Sequence, residues 1–87
     1  MTEIITGVAM LGDDGRVWAL PRPCRHNNIY ALAAFMNKAV DPCTQGFMTN
    51  TGRFVNRADA MIIAKANNGP WTTSEPRRKD LFSEDLW

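Results

Sequence analysis

Histidine, cysteine, long apolar runs and excess charge of either sign are all scarce in this chain, and each scarcity removes a class of function. One histidine, His26, is present. Paired-histidine phosphodiester cleavage is therefore out of reach, and no serine–histidine–acid arrangement can be read around it. The two cysteines, Cys24 and Cys43, make with His26 three candidate metal ligands, but their spacing fits no zinc pattern. No stretch approaches the roughly 18 apolar residues of a membrane span. Met1-Thr2-Glu3-Ile4-Ile5 lacks the basic region and apolar run of a signal peptide. The expectation is a cytosolic protein with reduced thiols. Ten Lys and Arg against nine Asp and Glu leave a net charge of +1, which argues against coating long DNA or RNA, because that binding needs many phosphate contacts. No catalytic group, metal, cofactor, membrane or long nucleic acid is expected.

What is present describes one small folded domain. The chain has 87 residues, and its 45 % hydrophobic and 22 % charged composition is that of an ordinary globular protein. A domain of this size buries a small core, and self-association is a common remedy. Residues 3–11 read as a strand, Gly12-Asp13-Asp14-Gly15 as a hairpin turn and residues 16–20 as the return strand, ended by Pro21 and Pro23. Asn27 or Asn28 is expected to cap a helix running to about Val40, with Ile29, Leu32, Ala33, Met36 and Val40 on one face. Asp41-Pro42 ends it. Residues 45–49 and 53–55 read as a second strand pair around Asn50-Thr51-Gly52. Asn56 caps a second helix, with Asp59 three positions on and Ala60, Met61, Ile63 and Ala64 facing inward. Asn67-Asn68-Gly69 is its stop signal. A polar loop follows, and then a tail carrying Leu81, Phe82, Leu86 and Trp87, too apolar to hang in water and expected to dock. The predicted fold is α+β: a single domain, residues 1–87, in ββα-ββα order, with short antiparallel strands packed on two helices and a docked C-terminal tail.

Arginines cluster where the two helices should begin. Arg22, Arg25 and His26 precede the first, and Arg53 and Arg57 flank the start of the second. A helix N-terminus already carries partial positive charge and free N–H groups, so cations there are unfavourable unless an anion joins them. The pattern points to a small anionic ligand, a nucleotide among them. The structural alternative for Arg57 is a salt bridge to Asp59, or to Glu84 and Asp85 in the tail. Thr49-Asn50-Thr51-Gly52 beside Arg53 is either an anion-holding turn or a plain hairpin. Phe47, after Gly46, is the best candidate to stack on a base, with core packing as its alternative. Arg25, His26, Phe47, Thr49, Arg53, Asn56 and Arg57 are the candidate ligand-binding residues.

Several motifs together carry a family resemblance. They are Pro23-Cys24-Arg25-His26, Gln45-Gly46-Phe47-Met48-Thr49, the run Gly52-Arg53-Phe54-Val55-Asn56-Arg57-Ala58-Asp59-Ala60, and Ser83-Glu84-Asp85-Leu86-Trp87. They resemble small phage-encoded proteins of the first Thoeris anti-defence family, the phage sponges. The resemblance spans roughly residues 21–87 and departs from the pattern in the loop from Asn67 to Asp80. It implies a protein of the host bacterial cytoplasm that sequesters a cyclic nucleotide immune signal, a cyclic ADP-ribose isomer or a cyclic oligonucleotide, without cleaving it. It further implies assembly as a dimer or hexamer with ligand near subunit interfaces, and it carries roles onto Arg25, Phe47, Asn56 and Arg57. Two other classes stay open. One is a phage inhibitor of a host defence protein, of anti-CRISPR or anti-restriction type, using Arg77-Arg78-Lys79 and the Phe82/Trp87 tail. The other is a small nucleotide-acting enzyme that depends on His26.

Overall fold

β-branched and apolar residues on either side of a glycine-bearing turn bring the first two strands together. The computed structural model describes residues 2–12, 15–36 and 43–87. In it β1 (Ile5–Gly12) pairs antiparallel with β2 (Val17–Pro21), Ala9 opposite Ala19. Gly15 takes φ +81°, a conformation that costs a residue without Cβ little. The Asp13-Asp14 part of the predicted turn lies outside the described residues.

The second hairpin joins β3 (Cys43–Thr49) to β4 (Phe54–Asn56) through a turn with Gly52 at φ +81°. The two strand pairs expected from the sequence are both present, and they join in one sheet in the order β2-β1-β3-β4, because β1 and β3 pair antiparallel along most of their length. Phe47 thus stands opposite Val8 on one side and Val55 on the other. A register shift between Ile5 and Gly7 acts as a β-bulge. Strict alternation would turn Ile5 away from Val8 and Met10, whereas the bulge brings all three into the same core.

Both helices cover that one face. β2 and β3 run in the same direction, so α1 (His26–Phe35) has to cross over β1 to connect them. It contributes Ile29 and Ala33 to the core. Its beginning differs from the expected one. Arg25 is the N-cap residue, and Asn28, in the first turn, accepts the Arg25 backbone N–H through Oδ1 at 2.7 Å. Met36 is 50 % exposed just past the helix end and does not share the packed face. Val40 lies outside the described residues.

α2 (Arg57–Ala66) behaves as its sequence suggests. Asn56 caps it by accepting from the Asp59 N–H at 2.8 Å, and Ala60, Met61 and Ala64 are buried. Asn68 (φ 56°) and Gly69 (φ 88°) end it in left-handed conformations.

The tail completes the core. Leu81 is fully buried, Leu86 nearly so, and one 3₁₀ turn (Ser83–Asp85) lies between them. Burying a leucine side chain is worth about 1.5–3 kcal/mol. Arg22 donates to the Leu86 carbonyl at 3.0 Å and lies 4.6 Å from the Trp87 ring centre, and Trp87 Nε1 donates to the Cys24 carbonyl at 2.8 Å. The tail is therefore strapped across the segment that leads into α1.

Candidate functional site

The two helix starts meet under the tail. Arg25, His26 and Asn27 at the head of α1, Arg57 at the head of α2, and Phe82, Ser83 and Glu84 of the tail line one open pocket of about 210 Å³. Gly46, on β3, accepts a hydrogen bond from His26 across this junction (2.7 Å), and Phe47 meets the same imidazole edge to face with 5.1 Å between ring centres. A carbonyl can only accept, so His26 Nε2 carries the proton in this contact.

Each arginine already holds tail atoms. Arg25 donates to Ser83 Oγ (3.3 Å) and to the Trp87 main-chain oxygen, and its Nη1 lies 3.5 Å from Glu84 Oε2. Arg57 donates to the Leu81 carbonyl (2.6 Å) and to Gln45 Oε1, and its guanidinium lies 4.6 Å from the Phe82 ring centre. Of the salt bridges considered for Arg57, none forms among the described residues. Its oxygen partners are a carbonyl and an amide, and Glu84 is ion-paired with Arg25 instead.

Electrostatics separates these groups. Burial is the main influence on His26 and pushes its imidazole below the ordinary value, and the charge of Arg57 acts the same way. The Gly46 hydrogen bond and Glu84 pull it back. Burial also lowers Arg57, opposed by Glu84, Asp80 and Asp85; an arginine so affected stays protonated at neutral pH. The pocket thus offers two guanidinium groups, one of them, Arg25, with a side chain 40 % exposed.

Thr49 and Arg53 do not reach this pocket. They surround a carboxylate of the chain itself. Arg53 grips Glu3 with two bonds, Nε to Oε2 at 3.0 Å and Nη2 to Oε1 at 2.7 Å, while Thr49 and Thr51 donate to Oε2 at 2.7 and 2.9 Å. These bonds, that of Arg53 foremost and that of Thr49 next, hold the Glu3 carboxyl at about 2, below its ordinary 4.5. The hairpin turn does hold an anion, and the anion is Glu3. The Asn56 side chain is engaged in capping α2. Phe47 is 0 % exposed and packs against His26 and Trp87, so it presents no open ring face to a base here.

Sequence reasoning missed Gln45, Ser83 and the Leu81 carbonyl as partners of the arginines. For Ser83, at the start of the terminal Ser-Glu-Asp turn, a local signal existed. For a backbone carbonyl the sequence carries none. Among the described residues, no three His, Cys, Asp or Glu side chains cluster as a metal site would require, and no helix is long and apolar enough to cross a membrane.

A family model described as Phage T4 y16D protein matches residues 4–87, nearly the whole chain. No curated protein and no solved structure matches it.

Proposed function

The chain belongs to the phage T4 y16D protein family, and we propose that it is an anti-defence protein, of the Thoeris-countering kind, that binds and sequesters a cyclic nucleotide immune signal in the host cytoplasm. The ligand class is a cyclic ADP-ribose isomer or a cyclic oligonucleotide, held and not cleaved. One observation carries the reading: Arg25 and Arg57, at the starts of two different helices, line the same open pocket. There the positive ends of both helices add to two guanidinium groups, the usual chemistry of a phosphate site.

Of the tail groups on Arg25, the Glu84 carboxylate is a weak competitor for that site. The Glu84 carboxylate is 67 % exposed and 3.5 Å from Arg25, and an exposed pair of this kind contributes about 0–1 kcal/mol. A phosphate bonded by the planar guanidinium fork replaces it favourably. The pocket, about 210 Å³, is smaller than the roughly 300–1,000 Å³ of a typical small-molecule site. It takes a phosphate or a ribose phosphate and leaves the bases to be covered by a second copy of the chain. Self-association into a dimer or hexamer is part of the proposal. The sheet face opposite the helices, carrying Val17, Met48 and Phe54 with no described element packed on it, is a surface suited to it.

Thermal denaturation against a panel of cyclic ADP-ribose isomers, cyclic di- and trinucleotides, ATP and NAD tests the reading. A ligand at 100 times its dissociation constant adds about 2.7 kcal/mol, a rise of roughly 10–20 °C for a domain of this size. The expected result is such a rise with one cyclic nucleotide, which is then recovered intact, and its loss in Arg25→Ala, measured against that variant's own unliganded melting temperature, which falls with the bonds to Ser83 and Trp87. No shift with any member of the panel refutes the proposal.

A further inference from the structure

A second surface, made of different side chains, lies on the far side of α2. Ala58, Ile62 and Lys65 follow one another at helical spacing on its outer face, and Ile62 is 67 % exposed. Facing them is the loop that carries Arg77, Arg78 and Lys79. Between helix and loop runs a groove of about 270 Å³.

Arg78 has a structural role. It is ion-paired with Asp85 and lies 4.7 Å from the Phe82 ring centre, which ties the loop to the docked tail. Lys65, Arg77 and Lys79 differ from it, since none of them is ion-paired with an acid among the described residues. Three cations therefore stand around an aliphatic floor in a chain whose net charge is only +1. Gathering like charges over a low-dielectric surface concentrates positive potential there, and a complementary partner relieves the repulsion.

We infer that this groove docks an acidic segment of a partner protein, with an aliphatic side chain seated on Ile62 and Ala58 and carboxylates meeting Lys65, Arg77 and Lys79. The floor decides between partner classes. No lining side chain is aromatic, so bases have nothing to stack on, and an apolar floor is wasted on a phosphate backbone. An amphipathic acidic peptide uses both parts of the groove. The inference is independent of the anion pocket, since the two sites share no residue.

The probe is a fluorescein-labelled helical peptide with Leu at i, i+3 and i+4 spacing and Glu elsewhere, titrated with the full chain by fluorescence anisotropy. Its controls are a Leu-to-Ser peptide, a Glu-to-Lys peptide and a labelled oligouridine. The acidic leucine peptide is expected to bind and to weaken as salt rises. Ile62→Ser should weaken it about tenfold, the equivalent of roughly 1.4 kcal/mol. The double variant Lys65→Glu, Lys79→Glu should bind the Glu-to-Lys peptide instead. All three positions are exposed, so melting temperatures should stay at the wild-type value and report that the variants fold. Absence of binding, equal binding of the Ser control, tighter binding of oligouridine, or an effect of Arg25→Ala as large as that of Ile62→Ser would each overturn the inference. So would a change of oligomeric state in Ile62→Ser, which would assign the groove to a second copy.

Discussion

Replacing Arg57 with alanine removes the side-chain clamp between β3, α2 and the tail, and the size of the effect follows from its contacts. The guanidinium donates to the Leu81 carbonyl and to Gln45, and lies over Phe82. Hydrogen bonds to charged groups are worth about 1.5–3 kcal/mol each, and a partly desolvated cation–π contact about 1–2 kcal/mol. Two terms work in the opposite direction. The half-buried cation no longer has to be desolvated, and a positive charge leaves the first turn of a helix, which returns a few tenths of a kcal/mol. The Leu81 N–H to Arg57 carbonyl bond, 3.1 Å, is main-chain and survives. The net expectation is a loss of about 2–3 kcal/mol, or a fall of roughly 10–20 °C in Tm. Urea denaturation followed by far-UV circular dichroism, and by tryptophan fluorescence for the tail, measures it. Arg57→Lys keeps the charge without the planar fork and should recover less than half of the loss. A change under about 0.5 kcal/mol in Arg57→Ala, or wild-type stability in Arg57→Lys, would show that the guanidinium does not hold the tail.

Other substitutions probe other levels of the fold. In Gly46→Ala the new Cβ would lie 2.6 Å from Phe54 Cζ and closer still to the Val55 carbonyl oxygen; overpacking of this kind costs about 1–3 kcal/mol or more, and an unchanged urea midpoint would contradict the β3–β4 packing. Asn56→Ala removes the α2 cap and should lower stability by about 1 kcal/mol, read from the same midpoint. Acidification should destabilise the protein in two stages. The His26 value is lowered in the folded state, so the unfolded chain takes up that proton first, and stability falls as pH drops through the ordinary histidine range. The Glu3 contribution is complete above 4.5 and is lost as pH falls toward about 2. Glu3→Gln should flatten the second stage of a pH-dependent melting series, and His26→Gln the first.

Much of the fold is legible because its signals are local. Asn56 with Asp59, the Asn67-Asn68-Gly69 stop and the glycine turns are short-range chemistry, and each appears where expected. The apolar tail declares its own docking, since Leu81 and Leu86 have nowhere else to go. The start of α1 departs from expectation because Asn28 works from inside the helix, where it accepts the N–H of Arg25, and does not stand before it. The merging of two hairpins into one sheet depends on β1–β3 pairing between distant segments, which no local pattern encodes. The same limit applies at the site. Arg25 and Arg57 are legible as unusual, but the tail carbonyl that Arg57 holds is not, because a main-chain oxygen leaves no mark in the sequence. Phe47 beside a glycine reads alike whether the ring stacks on a ligand or fills the core, and only the packing around it separates the two. Arg53 resembles a ligand residue because its true counter-ion, Glu3, lies far from it in sequence, near the start of the chain.

The crossover of α1 has a consequence for how the molecule could be divided. Each ββα half contributes an edge pair of strands, but the seam between β1 and β3 runs through the middle of the sheet and is the most extensive pairing in it. A chain cut between α1 and β3 would yield two fragments, each with a bare strand edge and half of a hydrophobic face, and neither with a core of its own. The unsatisfied surface of each is matched by the other. The halves are therefore complements: sheet, core and pocket each need both, and the pocket's two arginines come from opposite halves.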